Sequence, residues 1–171
     1  MEIPHELLSQ FLFSLREKED IFTKIVDVKK GGDDFEIDVR LQGPIENEDN
    51  PDETHTFHVM CSIIDDTLCI GFMISLSYPS EMIDTLMRAM KDYEHAFQEN
   101  DVDISTQEES VLLTTFRHLP LVAPFDADAR ECLRRDILGA CPELIGEACS
   151  MLEHLTDSRG IPNIQGCGKM H

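Results

Sequence analysis

The sequence has no tryptophan and only two tyrosines in 171 residues, and basic residues are scarce, with 14 Lys and Arg against 34 Asp and Glu. The resulting formal net charge of −20 argues against nucleic-acid binding, because phosphate contacts need clustered Lys and Arg. It also disfavours an anionic membrane surface. No apolar run reaches the ~18 residues of a membrane span, and no charged segment is followed by an apolar leader-like run, so we expect a protein that is not secreted. We therefore expect a cytoplasmic protein that binds neither nucleic acid nor membrane.

Known catalytic motifs are also missing. There is no GxSxG nucleophile elbow and no HExxH motif, and the single Gly-Gly pair, at 31–32, is followed by Asp33 and Asp34, which would repel a phosphate. Cys132 and His118 could in principle form a nucleophile–base pair, but a structural cysteine is the simpler interpretation. We predict a protein without catalytic residues or cofactors.

No metal-binding pattern stands out either. His55 and His58 are three residues apart in a predicted strand and so point to opposite faces. Cys149 and His154 are five apart in a predicted helix, which separates them around its axis. The acidic stretch 46–53 lacks the ligand spacing of a calcium-binding EF-hand. The sequence therefore predicts no metal site.

Six cysteines are present, but none forms a CxxC pair. Four of them fall in apolar strand-like or helical runs, where a free cysteine behaves as a small buried hydrophobe: Cys61, Cys69, Cys132 and Cys149. Free thiols are typical of a reducing compartment, which supports the cytoplasmic assignment.

Hydrophobic periodicity predicts an α+β fold with an antiparallel sheet flanked by helices, in the order α-ββ-ββ-α-ββ-α(α). The first helix follows Pro4 and has an apolar stripe at spacings of three and four: Leu7, Leu8, Phe11, Leu12 and Leu15. The second strand alternates Phe35, Ile37 and Val39, which face the core, with Glu36, Asp38 and Arg40, which face solvent. We expect one domain over 1–156 and a flexible tail over 157–171.

Two helices complete this prediction. One spans about 79–97, after an acidic loop at 43–54. The last opens at Asp126 or Asp128 as N-cap and carries Cys132, Leu133 and Ile137 on its buried stripe. Gly139 and Pro142 are expected to break or kink it before it resumes to about Thr156.

The third and fourth strands carry more apolar residues than one buried face needs. One face of the third strand holds Phe57, Val59, Cys61 and Ile63, and Leu68 to Leu76 alternate in the same way on the fourth. The opposite face then holds four further apolar residues: Met60, Ile64, Cys69 and Met73. Since monomers seldom leave such a strip in water, we predict that it contacts a partner or a second copy of the chain, unless the final helix covers it.

This order of elements resembles the type III secretion chaperone-like superfamily, which includes class I secretion chaperones and the YbjN-like family of candidate sensory-transduction regulators. The similar stretches are the opening Leu7–Leu12, the paired strands leading into Pro79-Ser80-Glu81, and the strands near Val102 and Val111. The acidic loop and the Gly139–Pro142 interruption depart from that pattern. The resemblance implies a non-catalytic, protein-binding homodimer that holds a segment of a partner protein.

Two other functions stay open at this stage. An immunity-type inhibitor would use its acidic surface to cap a basic toxin, and would concentrate carboxylates in one patch. A metal-dependent enzyme built on the histidines and acids is the third alternative, and metal analysis would separate it from the other two.

Overall fold

The computed structural model describes residues 3–41, 56–77, 84, 85, 88, 101–107 and 110–159. Helix α1 spans His5–Ser14 and helix α2 spans Ala127–Arg159, with six strands between them: β1 Thr23–Gly31, β2 Asp34–Leu41, β3 Thr56–Ile64, β4 Thr67–Ser77, β5 Asp101–Gln107 and β6 Ser110–Pro120. The strands form one sheet in the order β1-β2-β3-β4-β6-β5. The predicted α+β fold with an antiparallel sheet is confirmed.

Some predicted segments lie wholly or partly outside the described residues. The acidic loop at 43–54 is one of them. Of the predicted middle helix, Asp84, Thr85 and Arg88 are described, and they are helical. The predicted tail begins inside α2, since 157–159 are helical, whereas 160–171 lie outside the described residues.

The chain divides into two compact units. The first comprises Met1–Ile70 with Arg117–Glu143, and its buried side chains come from α1, from β1 to the first half of β4, and from the first half of α2. The second comprises Gly71–Phe116 with Leu144–His171, and its buried apolar residues include Phe72, Ile74, Val111, Leu113, Leu144 and Ile145. In both units the apolar residues at alternate strand positions form the core, as their spacing predicts.

The β1–β2 hairpin turns tightly at Gly32, whose φ of +66° favours glycine. A bulge between Ile25 and Asp27 shifts the register of the hairpin by one residue. Because of this extra residue, Ile25 and Val28 both face the core although they are three positions apart. Beyond the bulge, Asp27 lies directly opposite Asp38 on the other face of the sheet.

The predicted break of the last helix at Gly139 and Pro142 is wrong, because α2 continues through both residues, and the alternative of a kink stays a prediction. Proline has no N–H, so the carbonyl of Leu138, four residues earlier, loses its helical partner. The hydroxyl Oγ1 of Thr23 donates a hydrogen bond to that carbonyl over 3.1 Å. Thr23 is fully buried, and its hydroxyl replaces the bond that Pro142 cannot make.

The start of α2 distinguishes the two predicted caps. The carboxylate of Asp126 accepts a hydrogen bond from the N–H of Ala129 over 2.9 Å, which makes Asp126 the N-cap. The prediction that Cys132 lies on the buried stripe is wrong, since Cys132 is exposed. The buried side instead follows Leu133 and Ile137, and one residue step turns a helix by about 100°. Among the described residues, no helix is long and apolar enough to cross a membrane.

Candidate functional site

The outer face of β3, opposite the core, presents large apolar side chains to solvent. Phe57, Val59 and Cys61 are buried on one side of the strand. On the other side, Met60 is 42% exposed and Ile64 is 54% exposed. This alternation follows from the two-residue period of a strand, as the sequence predicts.

Strand β4 carries the other two residues of the predicted contact surface. Cys69, in the first unit, is partly exposed, and Met73, in the second unit, is 54% exposed. Met60, Ile64 and Met73 are therefore all exposed to solvent in the single chain. Whether a partner or a second copy covers them stays a prediction.

A polar cluster lies beside Met60 on the outer face. The register of β2 and β3 places Glu36 opposite Met60 and Asp38 opposite His58. The Nδ1 atom of His58 lies 2.7 Å from Oδ1 of Asp38 and 3.7 Å from Oε1 of Glu36. We call Glu36, Asp38 and His58 the carboxylate–histidine cluster.

Asp38 is the buried member of this cluster. Its position predicts a solvent-facing side chain, but only 6% of the residue is exposed. The burial is tolerated because both carboxylate oxygens have partners: Oδ1 contacts His58, and Oδ2 lies 3.2 Å from Nζ of Lys29. The hydrogen bond to Asp38, together with its negative charge, raises the pKa of Lys29 above its usual 10.5.

A second ion pair, between Arg16 and Asp27, lies next to the cluster and offsets the repulsion between two neighbouring carboxylates. Asp27 faces Asp38 across β1 and β2, and two carboxylates directly opposite each other repel. The Nε of Arg16 lies 2.8 Å from Oδ1 of Asp27. Arg16 therefore offsets the charge of Asp27, while Lys29 does the same for Asp38.

The carboxylate–histidine cluster has donors that suit a metal ion. The candidate ligand atoms of Glu36, Asp38 and His58 all lie within 4.8 Å of one another. Sequence reasoning missed this group because it compared His58 with His55, which lies outside the described residues. The only signal was the spacing Glu36-x-Asp38 on a strand. The register between β2 and β3 brings His58 opposite Asp38, and the pattern of neither segment alone specifies that pairing.

Catalysis by cysteine gains no support from the buried thiols. Burial raises the pKa of Cys141 to about 12 and that of Cys61 well above 9, so both stay protonated and poorly nucleophilic at neutral pH. The exposed Cys132 lies in a groove of about 320 Å³ with Phe125 and Leu133. The described residues that line this groove do not include His118, the histidine considered above as the base for Cys132.

Comparisons with known proteins identify the fold. No protein-family model and no curated protein matches the sequence. Among solved structures, the chain is similar to the crystal structure of YbjN from E. coli, described as "a putative transcription regulator". The TM-score is 0.52 at 10% sequence identity, and the similarity covers 94% of each chain. The predicted YbjN-like fold is confirmed, and at this identity the comparison concerns the fold alone.

Proposed function

We propose that this chain is a non-catalytic protein-binding module, regulatory or chaperone-like, and that it works as a homodimer. The observation that carries the proposal is the exposure of Met60 and Ile64 on the outer face of β3, with Met73 exposed on β4 in the second unit. The description of YbjN as "a putative transcription regulator" supports a regulatory role rather than catalysis.

A second copy of the chain is the occupant that best fits the outer face of β3. A two-fold interface is self-complementary, so one apolar strip can cover its own copy. At ~25 cal/mol per Å² of buried apolar area, a standard interface of ~1,600 Å² makes association feasible, while its packing rather than its area sets the affinity. The charge of −20 per chain opposes association, but salt limits this repulsion to a range of ~8 Å at physiological ionic strength.

The remaining acidic surface then selects the partner protein. A strongly negative surface raises the encounter rate with positively charged partners and disfavours acidic ones. We infer that the partner segment is basic. A reducing cytoplasm suits this role, since Cys61, Cys132 and Cys141 form no disulfide.

The oligomeric state tests the proposal through one pair of matched variants. Ile64→Glu places a charge on the outer face of β3, whereas Ile21→Glu places the same charge on a side chain that is 80% exposed before β1. Light scattering at micromolar concentration is expected to give twice 19.4 kDa for the wild type and for Ile21→Glu, and a monomer for Ile64→Glu.

Three results would argue against this function. A wild-type monomer of 19.4 kDa would remove the homodimer. A dimer that Ile21→Glu dissociates and Ile64→Glu does not would move the interface away from the outer face of β3. A stoichiometric complex formed by the monomer with a basic toxin would favour the immunity-type inhibitor instead.

A further inference from the structure

We propose that Glu36, Asp38 and His58 form a binding site for a divalent transition-metal ion, with Zn²⁺ as the representative ion. The site goes beyond the proposed protein-binding function and does not depend on it. Its three donors are one imidazole nitrogen and two carboxylate oxygens, a set that zinc accepts in proteins.

The geometry of the cluster is close to what the ion requires. Zinc holds N and O ligands at ~2.0–2.2 Å, which places the donor atoms of a tetrahedral site ~3.3 Å apart. In the structure, Nδ1 of His58 lies 2.7 Å from Asp38 Oδ1 and 3.7 Å from Glu36 Oε1. These two distances lie on either side of the ideal, and the third, between the carboxylate oxygens of Asp38 and Glu36, is within 4.8 Å, so side-chain rotations would bring all three donors around the ion.

The backbone fixes the three side chains in place. Glu36 and Asp38 are two residues apart on β2 and therefore share a face, and antiparallel pairing sets His58 directly opposite Asp38. Ligands on paired strands keep their spacing better than ligands on loops. The remaining positions around the ion are left for water or for a donor from a partner, since three protein ligands do not complete a tetrahedron.

Lys29 orients one ligand of the site, the carboxylate of Asp38, and is not itself a ligand. Its ammonium lies 3.2 Å from Oδ2 of Asp38, while the other oxygen, Oδ1, is directed at His58. A second partner on a ligating carboxylate orients the oxygen that faces the metal. Asp38 is more than nine-tenths buried, so this orientation is held by its surroundings.

The donor set also predicts which ions bind. Calcium needs six to eight oxygen ligands, and magnesium keeps most of its water, so neither gains much from an imidazole. Zinc, nickel and copper bind imidazole nitrogen strongly. The site should therefore prefer Zn²⁺ to Ca²⁺ and Mg²⁺, and replacement of His58 should remove that preference.

The test is a calorimetric titration of the metal-stripped full chain with zinc chloride. We expect one tight site in the wild type, at least ~10-fold weaker binding in His58→Ala and in Glu36→Gln, and no change in His5→Ala. His5 is an exposed histidine that belongs to no such group among the described residues, so it controls for the loss of any surface histidine. Thermal unfolding of each variant without metal shows that its fold is retained.

Three outcomes would overturn the site. The first is the absence of zinc binding tighter than millimolar in the wild type. The second is equal zinc affinity in the wild type and His58→Ala. The third is a site that binds Ca²⁺ as tightly as Zn²⁺ and depends on Glu36 but not on His58, which would make it a cluster of carboxylates without a histidine ligand.

Discussion

Replacing Thr23 with valine should destabilise the protein by removing the hydrogen bond that compensates for Pro142 in α2. Valine keeps the shape of the fully buried threonine but removes the hydroxyl that donates to the carbonyl of Leu138. That carbonyl lacks the N–H donor four residues later, because residue 142 is proline. Leaving a buried acceptor unpaired costs ~1–3 kcal/mol. For a chain of this size, a loss of ~2 kcal/mol lowers the melting temperature by ~4–8 °C.

The Pro142→Ala background tests whether the unpaired Leu138 carbonyl causes this loss of stability. Alanine at 142 supplies an N–H that can bond to the Leu138 carbonyl, so the cost of Thr23→Val should fall below ~1 kcal/mol. The two substitutions should therefore show a coupling energy of ~1–2 kcal/mol. Thr115→Val is the matched control. The Thr115 hydroxyl donates to the carbonyl of Leu144 over 2.9 Å, but that carbonyl keeps its own helical donor, the N–H four residues later.

The assay is urea unfolding of the wild type, the single variants and the two double variants. Thr115→Val should cost the same with and without Pro142→Ala. An equal cost of Thr23→Val in both backgrounds would mean instead that Thr23 stabilises the protein through contacts unrelated to the proline.

The other two predictions concern ionisable groups. In native protein at neutral pH, iodoacetamide should label Cys132 quickly and leave Cys61 and Cys141 unmodified by mass spectrometry, because burial raises the pKa of both thiols; labelling of Cys141 as fast as that of Cys132 would contradict this. The pKa of Lys29 is raised by Asp38, so the stabilisation from this pair is complete below pH 10.5 and lost as the pH rises above it. The stability difference between the wild type and Lys29→Gln should therefore shrink above pH 10.5, and a difference that grows with pH would be the opposite result.

The fold was predictable where it depends on local patterns. Alternating residues such as Phe35, Ile37 and Val39 define a strand with one buried face, and the structure has them buried. Asp126 caps α2 through a hydrogen bond three residues along the chain. By contrast, the continuity of α2 depends on Thr23, 115 residues before Leu138, and no local pattern contains that contact.

The outer face of β3 and the carboxylate–histidine cluster also differ in how far the sequence predicts them. The exposure of Met60 and Ile64 follows from the period of a single strand, so the sequence was sufficient. The carboxylate–histidine cluster needs the register between β2 and β3, and the burial of Asp38 needs Lys29 on a third strand, β1. Both depend on pairing between segments, which the hydrophobic pattern of each segment does not specify.

Intermolecular contacts of the outer face are the most direct test of the protein-binding proposal. In a mixed sample of chains carrying carbon-13 methionine methyls and unlabelled chains, isotope-filtered nuclear Overhauser effects report only contacts between copies. We predict such effects from the Met60 methyl and none from the buried Met151. A spectrum of the dimer without any effect from Met60, or a sample that is monomeric at the same concentration, would contradict the claim that two copies meet on the outer face of β3.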